Sequence, residues 1–206
     1  MMLAIPPALA SLGAHAQFIH VKLVADPARP GKTIKLPINW RTGQVADAHD
    51  PAIWMASAQA LAMLPAWGPG YCLGWVLTRA AGVWCLDVDN CVTPAGQWTE
   101  TATKLMALLG GAAIEVSQSR KGLHLWGMGA VGEHSMKCTS LGLEFYTEKR
   151  FIALTGEMLG GDARTDHTPA IASLVASCFP PRVAAEAADW TDGPCAEWNG
   201  PRMMTT

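Results

Sequence analysis

Residues Val83–Asn90 read VWCLDVDN, a β-branched and aromatic run closed by two aspartates one residue apart. A run of this kind folds as a buried strand, and a strand sends residues i and i+2 to the same face. Asp87 and Asp89 therefore project together from the strand's end. Two like charges held that close repel unless a cation sits between them. Magnesium and manganese, which prefer carboxylate oxygens and keep bound water, suit such a pair. An Asp-x-Asp alone is common, so its meaning rests on what the rest of the chain brings to it.

The 206 residues are enough for one sizeable core, and half of them are apolar against 16% charged, a folded rather than disordered composition. A net charge of −2 gives no global attraction to nucleic acid or membrane, so any phosphate binding needs a local patch. The six cysteines form no Cys-x-x-Cys pair and read as small buried groups in a reducing compartment; Cys91, His134 and Cys138 fit no standard zinc spacing. Most of the nine tryptophans are expected in the core or along a groove. No uninterrupted apolar run is long enough to span a bilayer, and the N-terminus lacks the basic start of a secretion signal. The expectation is no membrane partner and a cytoplasmic location.

In chain order, Pro7–Leu12 reads as a short helix and Gln17–Val24 as a strand. The following loop carries Arg29, Lys32, Lys35 and Arg41, either a solvated hairpin or a basic arm that meets phosphates. Asp50-Pro51 is expected to open a helix running to about Leu64, with Trp54, Ala58 and Leu61 on its core face. Tyr71–Thr78 reads as a strand forming a hairpin with VWCLDVDN. A helix over Thr99–Leu109 precedes a strand at 112–119, an Arg120-Lys121-Gly122 turn and a returning strand at 123–129 that bears His124. Gly142–Thr147, carrying Glu144 and Tyr146 on one face, is expected to form a hairpin with 150–156, followed by loop and a helix over Thr168–Ser177. Strands dominate with helices between them, an α+β fold on a mostly antiparallel sheet.

Three of these strands carry polar groups where apolar ones are expected: Asp87 and Asp89, then His124, then Glu144. If the strands are neighbours, the groups converge on one face. Three carboxylates can hold two divalent cations of the kind that drive phosphoryl transfer. A histidine beside them suits a triphosphate contact or proton transfer. Ser117, Ser119, Arg120 and Lys121 make a polar, cationic turn ahead of His124.

The order Asp-x-Asp, Ser-x-Ser-x-x-Gly-x-His, then Glu before Arg-Phe-x-x-x-Thr-Gly resembles the archaeo-eukaryotic primase superfamily. More narrowly, it is similar to the phage and plasmid primase-polymerase (prim-pol) domains often fused to a helicase. FIHVKLV, GKTIKLPINWRTG and Asp-Pro-x-x-Trp resemble the lead-in of those domains, so the likeness covers about residues 7–160. It implies a prim-pol catalytic domain over 1–178, made of an N-terminal αβ unit (1–80), a metal-binding RRM-like unit with flanking helices (81–160) and a closing helix (161–178), with 179–206 as tail or linker.

It further implies a DNA primase/DNA polymerase that adds NTPs or dNTPs on a single-stranded DNA template and primer in phage or plasmid replication, working beside a separate replicative helicase. Two Mg2+ or Mn2+ ions would be held by Asp87, Asp89 and Glu144. His124 would contact nucleotide phosphates, and Lys35 and Arg150 match basic positions suited to nucleotide or template phosphates. A non-catalytic single-stranded DNA-binding module and a metal-dependent nuclease are the alternatives. Two departures stand out. Related domains read Ser-x-Ser-Gly-x-Gly-x-His, and Arg120 replaces the first glycine, where a left-handed turn is eased by its absent side chain. No Gly-x-x-x-x-Gly-Lys-Ser/Thr motif occurs either, so a helicase motor, where one is needed, is expected on another chain or in a part of the protein outside these residues.

Overall fold

The computed structural model describes residues 2 and 4–181. It is α+β, with two antiparallel sheets and few helices. The first sheet has the order β2-β1-β3-β9, from β1 (Phe18–Ala25), β2 (Thr33–Ile38), β3 (Tyr71–Leu77) and β9 (Arg150–Ala153). The second has the order β10-β5-β6-β4-β8-β7. Its strands are β4 (Val83–Val88), β5 (Ala113–Val116), β6 (Leu123–Met128), β7 (Lys137–Cys138), β8 (Leu143–Tyr146) and β10 (Met158–Gly160).

The sheets pack on each other through a shared core. Phe18, Leu73, Trp75 and Leu77 of the first meet Val83, Cys85, Ala113, Trp126 and Tyr146 of the second. Alternation along each strand supplies this face. In the second sheet it forms a cross-strand row, Ala113–Trp126–Cys85–Tyr146, read directly from the pairing register. The opposite face of that sheet buries Trp84, Leu86, Leu123, Leu125 and Phe145 under α2 (Glu100–Leu108) and α3 (Thr168–Cys178). Thr99 caps α2 by accepting from the Ala102 amide, and its apolar stripe places Ala102 and Leu105 inward.

Several expectations are corrected. β3 and β4 are no hairpin, nor are β8 and β9; each pair is split between the two sheets. A three-residue 3-10 turn, Arg79–Ala81, closed by left-handed Gly82, links β3 to β4. It is not one of the two-residue turns that fold a strand back on its neighbour. Because β9 returns to pair with β3, the division into 1–80 and 81–160 is crossed by the chain. Asp50 caps only a 3-10 turn, Pro51–Ile53, and α1 starts later, at Ser57–Trp67. Its inward residues are Ala60 and Leu64, while Ala58 is exposed and Trp54 lies outside the helix. The stretch after Glu157, expected as loop, adds β10 to the edge of β5. The basic loop is partly the edge strand β2, where Pro37 is tolerated because an edge leaves amides unpaired. Phe179, expected in the tail, is fully buried against Phe145, their rings 5.5 Å apart. The rest of the expected tail, 182–206, lies outside the described residues. Among the described residues, no helix is long and apolar enough to cross a membrane.

Candidate active site

The inter-sheet face of the second sheet changes character over one step of the strand repeat. Beside the apolar row Ala113–Trp126–Cys85–Tyr146 runs a second row of direct cross-strand partners, Glu115–His124–Asp87–Glu144–Lys137, spanning β5, β6, β4, β8 and β7. Residues two apart on a strand share a face, so this polar row begins where the inter-sheet core ends. β6, β4 and β8 are adjacent, and Asp87 stands opposite both His124 and Glu144. Asp89 follows β4 on an exposed turn, its amide donating to the Gly142 carbonyl at 3.0 Å.

These groups open onto a cleft of about 440 Å³. One wall holds Asp87, Asp89, His124, Glu144 and the Ser117–Ser119 turn; the other holds Arg29, Lys32, Lys35 and Arg150 from the first sheet and its loops. Acids thus come from one sheet and most of the cations from the other. Burial pushes the Asp87 carboxyl above its ordinary value; His124 and Lys35 pull it back, while Asp89 and Glu144 push it further. Burial also works against the Glu144 carboxylate, but the Lys137 ammonium at 2.5 Å and the Tyr146 hydroxyl outweigh it, holding Glu144 below its ordinary value. Arg150 lies 3.5 Å from Glu144 and stacks its guanidinium over the Tyr146 ring at 4.8 Å.

The sequence reading missed Glu115, which is fully buried and receives three bonds. The Thr155 and Gly156 amides donate to Oε1 at 2.7 and 2.9 Å, and Oε2 lies 3.0 Å from His124 Nδ1. His124 is likewise buried, with Nε2 3.9 Å from Asp87 Oδ1, beyond hydrogen-bond length. A single charge inside the apolar stretch AAIEV, nine residues before His124, is the signal that could have found it. Lys137, also missed, sits on a two-residue strand too short for any periodicity to mark.

Two expected phosphate-binding residues stand elsewhere. Arg120 and Lys121 do not line the cleft, and Arg120 donates to Glu157 instead. Arg120 adopts φ 61°, the left-handed conformation that a glycine takes more easily, so the departure from the related pattern keeps the turn and redirects the side chain. Ser117 and Ser119 do line the cleft, their hydroxyls 3.1 Å apart.

Asp87 and Asp89 at the mouth of a cleft, with Asp87 disfavoured as an anion, form an oxygen donor set that suits a hard divalent cation. Glu144 is committed to Lys137, Tyr146 and Arg150, and among the described residues no three His, Cys, Asp or Glu side chains are gathered around one point as ready ligands. Burial pushes the Cys72 thiol up to about 12 and that of Cys91 up to about 11, away from the thiolate that a nucleophile needs. No known protein-family model matches the chain, and no curated protein matches its sequence significantly.

Proposed function

We propose that the chain is a template-dependent nucleotidyltransferase, a DNA primase-polymerase of the archaeo-eukaryotic primase type with an RRM-like unit at its centre, acting in phage or plasmid replication. The observation that carries this reading is Asp87 standing in register between His124 and Glu144, on one face and opposite a wall of cations.

Asp87 and Asp89 would hold Mg2+ or Mn2+, and Glu144 would join them by exchanging Lys137. Such ions, when bound, supply charge neutralisation at the phosphates and a lowered pKa for the attacking hydroxyl. Lys35 and Arg150 bind the triphosphate of an incoming NTP or dNTP and offset its charge. His124 presents its Nε2 lone pair to the cleft as an acceptor for a hydroxyl of the nucleotide, and Ser117 and Ser119 offer hydroxyls to the phosphate oxygens. The primer 3′-hydroxyl, aligned on the single-stranded template, attacks the α-phosphate, and pyrophosphate leaves. Arg120 and Lys121 take no part. A separate replicative helicase would open the duplex.

The test is incorporation of labelled nucleotides on primed and unprimed single-stranded DNA with magnesium or manganese. Wild type should extend the primer, and the double variant Asp87→Ala, Asp89→Ala should lose incorporation entirely while remaining folded. Equal incorporation by the two proteins sinks the proposal.

A further inference from the structure

Glu115 is an ionisable side chain with no exposure at all, on a strand that makes no contribution to the cleft wall. Burial of this kind costs several kcal/mol unless every lone pair is used. Here the use is divided. Oε1 takes the two successive amides of Thr155 and Gly156, just past β9, where the chain leaves the first sheet for the second. Neighbouring bonds close the same joint: the Thr155 hydroxyl donates to the Val116 carbonyl at 2.8 Å, and the Gln118 amide to that of Leu154 at 3.0 Å. With that joint fixed, Oε2 has one remaining partner, the Nδ1 of His124. A carboxylate only accepts, so Nδ1 carries the hydrogen, and the ring's other nitrogen is turned toward Asp87 and the cleft. Trp126, whose ring meets that of His124 edge-on at 6.4 Å, fills the space behind it.

We infer that Glu115 is a positioning residue: it fixes the tautomer and plane of His124 so that the Nε2 lone pair faces the nucleotide as an acceptor, which the inverted tautomer could not offer, and it ties that orientation to the joint between the two sheets. That the cleft receives a nucleotide rests on the function proposed above; the orientation of the ring does not.

Glu115→Gln separates the two jobs. The Thr155 and Gly156 amides can only donate, so the glutamine oxygen turns to them and its NH2 turns to His124. Nδ1 must then accept, and the ring hydrogen moves to Nε2. The variant keeps the shape and the backbone bonds, so it is expected to fold, while the tautomer inverts. The experiment is 15N-histidine NMR on the full chain with primer-extension kinetics alongside. In wild type, His124 Nδ1 should resonate as a protonated, hydrogen-bonded nitrogen; in Glu115→Gln it should move to the unprotonated range. The loss in kcat/KM should be about 10- to 100-fold, as for other residues that orient a functional histidine, and should fall mainly on the nucleotide KM.

An unprotonated Nδ1 in wild type overturns the inference even if the variant cannot be purified. So does a Glu115→Gln protein whose Nδ1 signal and KM match wild type, since a merely structural glutamate would move neither. A wild-type chain that inverts its tautomer in the variant yet incorporates no nucleotide refutes the proposed function and upholds the ring's positioning.

Discussion

Gly122 offers the most direct test of how the site is held together. It lies in the turn before β6, with its backbone pressed against the end of β4: a Cβ added there would fall 2.8 Å from the Val88 carbonyl oxygen and 2.9 Å from Ser117 Oγ. Ordinary contact begins at 3.4 Å, so about 0.6 Å has to be found. Ser117 can rotate at the loss of its contact with Ser119, but the Val88 carbonyl is backbone between Asp87 and Asp89 and cannot retreat without moving both. Overpacking of this size costs about 1–3 kcal/mol. A shift of this order at a reacting centre lowers turnover by at least about tenfold, given that 1 Å of misplacement can cost about a hundredfold. Urea unfolding of Gly122→Ala measures the first effect and primer extension the second. Gly132→Ala, where an added Cβ meets nothing within 4 Å, is the control and should stay within about 0.5 kcal/mol of wild type. If Gly122→Ala behaves like the control in both assays, the turn is not pressed onto β4 and the account of the site is wrong.

Two further outcomes follow from the same structure. At position 120, φ of 61° inverts the usual ranking of small residues: Arg120→Gly and Arg120→Ala both lose the exposed pair with Glu157, but only alanine keeps the strain. Glycine should be the more stable by about 0.5–1 kcal/mol in chemical denaturation, and an alanine variant of equal or greater stability would place residue 120 outside the left-handed region. His20 should make the fold acid-sensitive. Trp67 donates to its Nδ1 and its Nε2–H donates to the Ala60 carbonyl, both at 2.8 Å, so the buried ring is neutral; burial pushes its pKa below the ordinary 6.5, with the Ala60 bond acting against it. The unfolded chain takes up a proton that the folded one refuses, so this contribution is complete above about pH 6.5 and declines below it, by up to about 1.4 kcal/mol per pH unit until the depressed folded value is reached. Unfolding midpoints at pH 7.5 and 5.5, compared between wild type and His20→Phe, isolate the effect; identical pH slopes would remove His20 as its source.

What the sequence disclosed depended on range. β4, the β5–β6 pair and the span of α2 are local patterns, and the residues themselves state them. The polar row was half legible, because Asp87, His124 and Glu144 each interrupt an apolar strand at the parity of the core. Glu115 escaped because a lone glutamate in AAIEV reads as the solvent side of an alternating strand, although centring the hairpin on Ser119–Arg120 pairs it with His124. The partition of strands into two sheets was not legible. Short turns after β3 and β8 look like hairpin turns, and which distant strand completes the pairing is decided by cores that no local window contains.

That partition is also what makes the cleft electrostatically workable. Had β8 and β9 folded as a hairpin, Glu144 and Arg150 would sit on one sheet with Asp87, and the opposite wall would keep only the cations of β2 and its loop. By sending β9 to the first sheet, the chain sets Arg150 beside Glu144 across the seam at 3.5 Å, in the lining of the same cleft as Lys35. Net charge is therefore a poor guide to ligands here. At −2 overall the protein has no long-range pull on phosphate, yet the cleft offers acids on one wall for a cation and cations on the other for an anion. On the function proposed above, an arrangement of that polarity would favour a ligand that carries both, such as a metal-bound triphosphate, over a bare polyanion of the same charge.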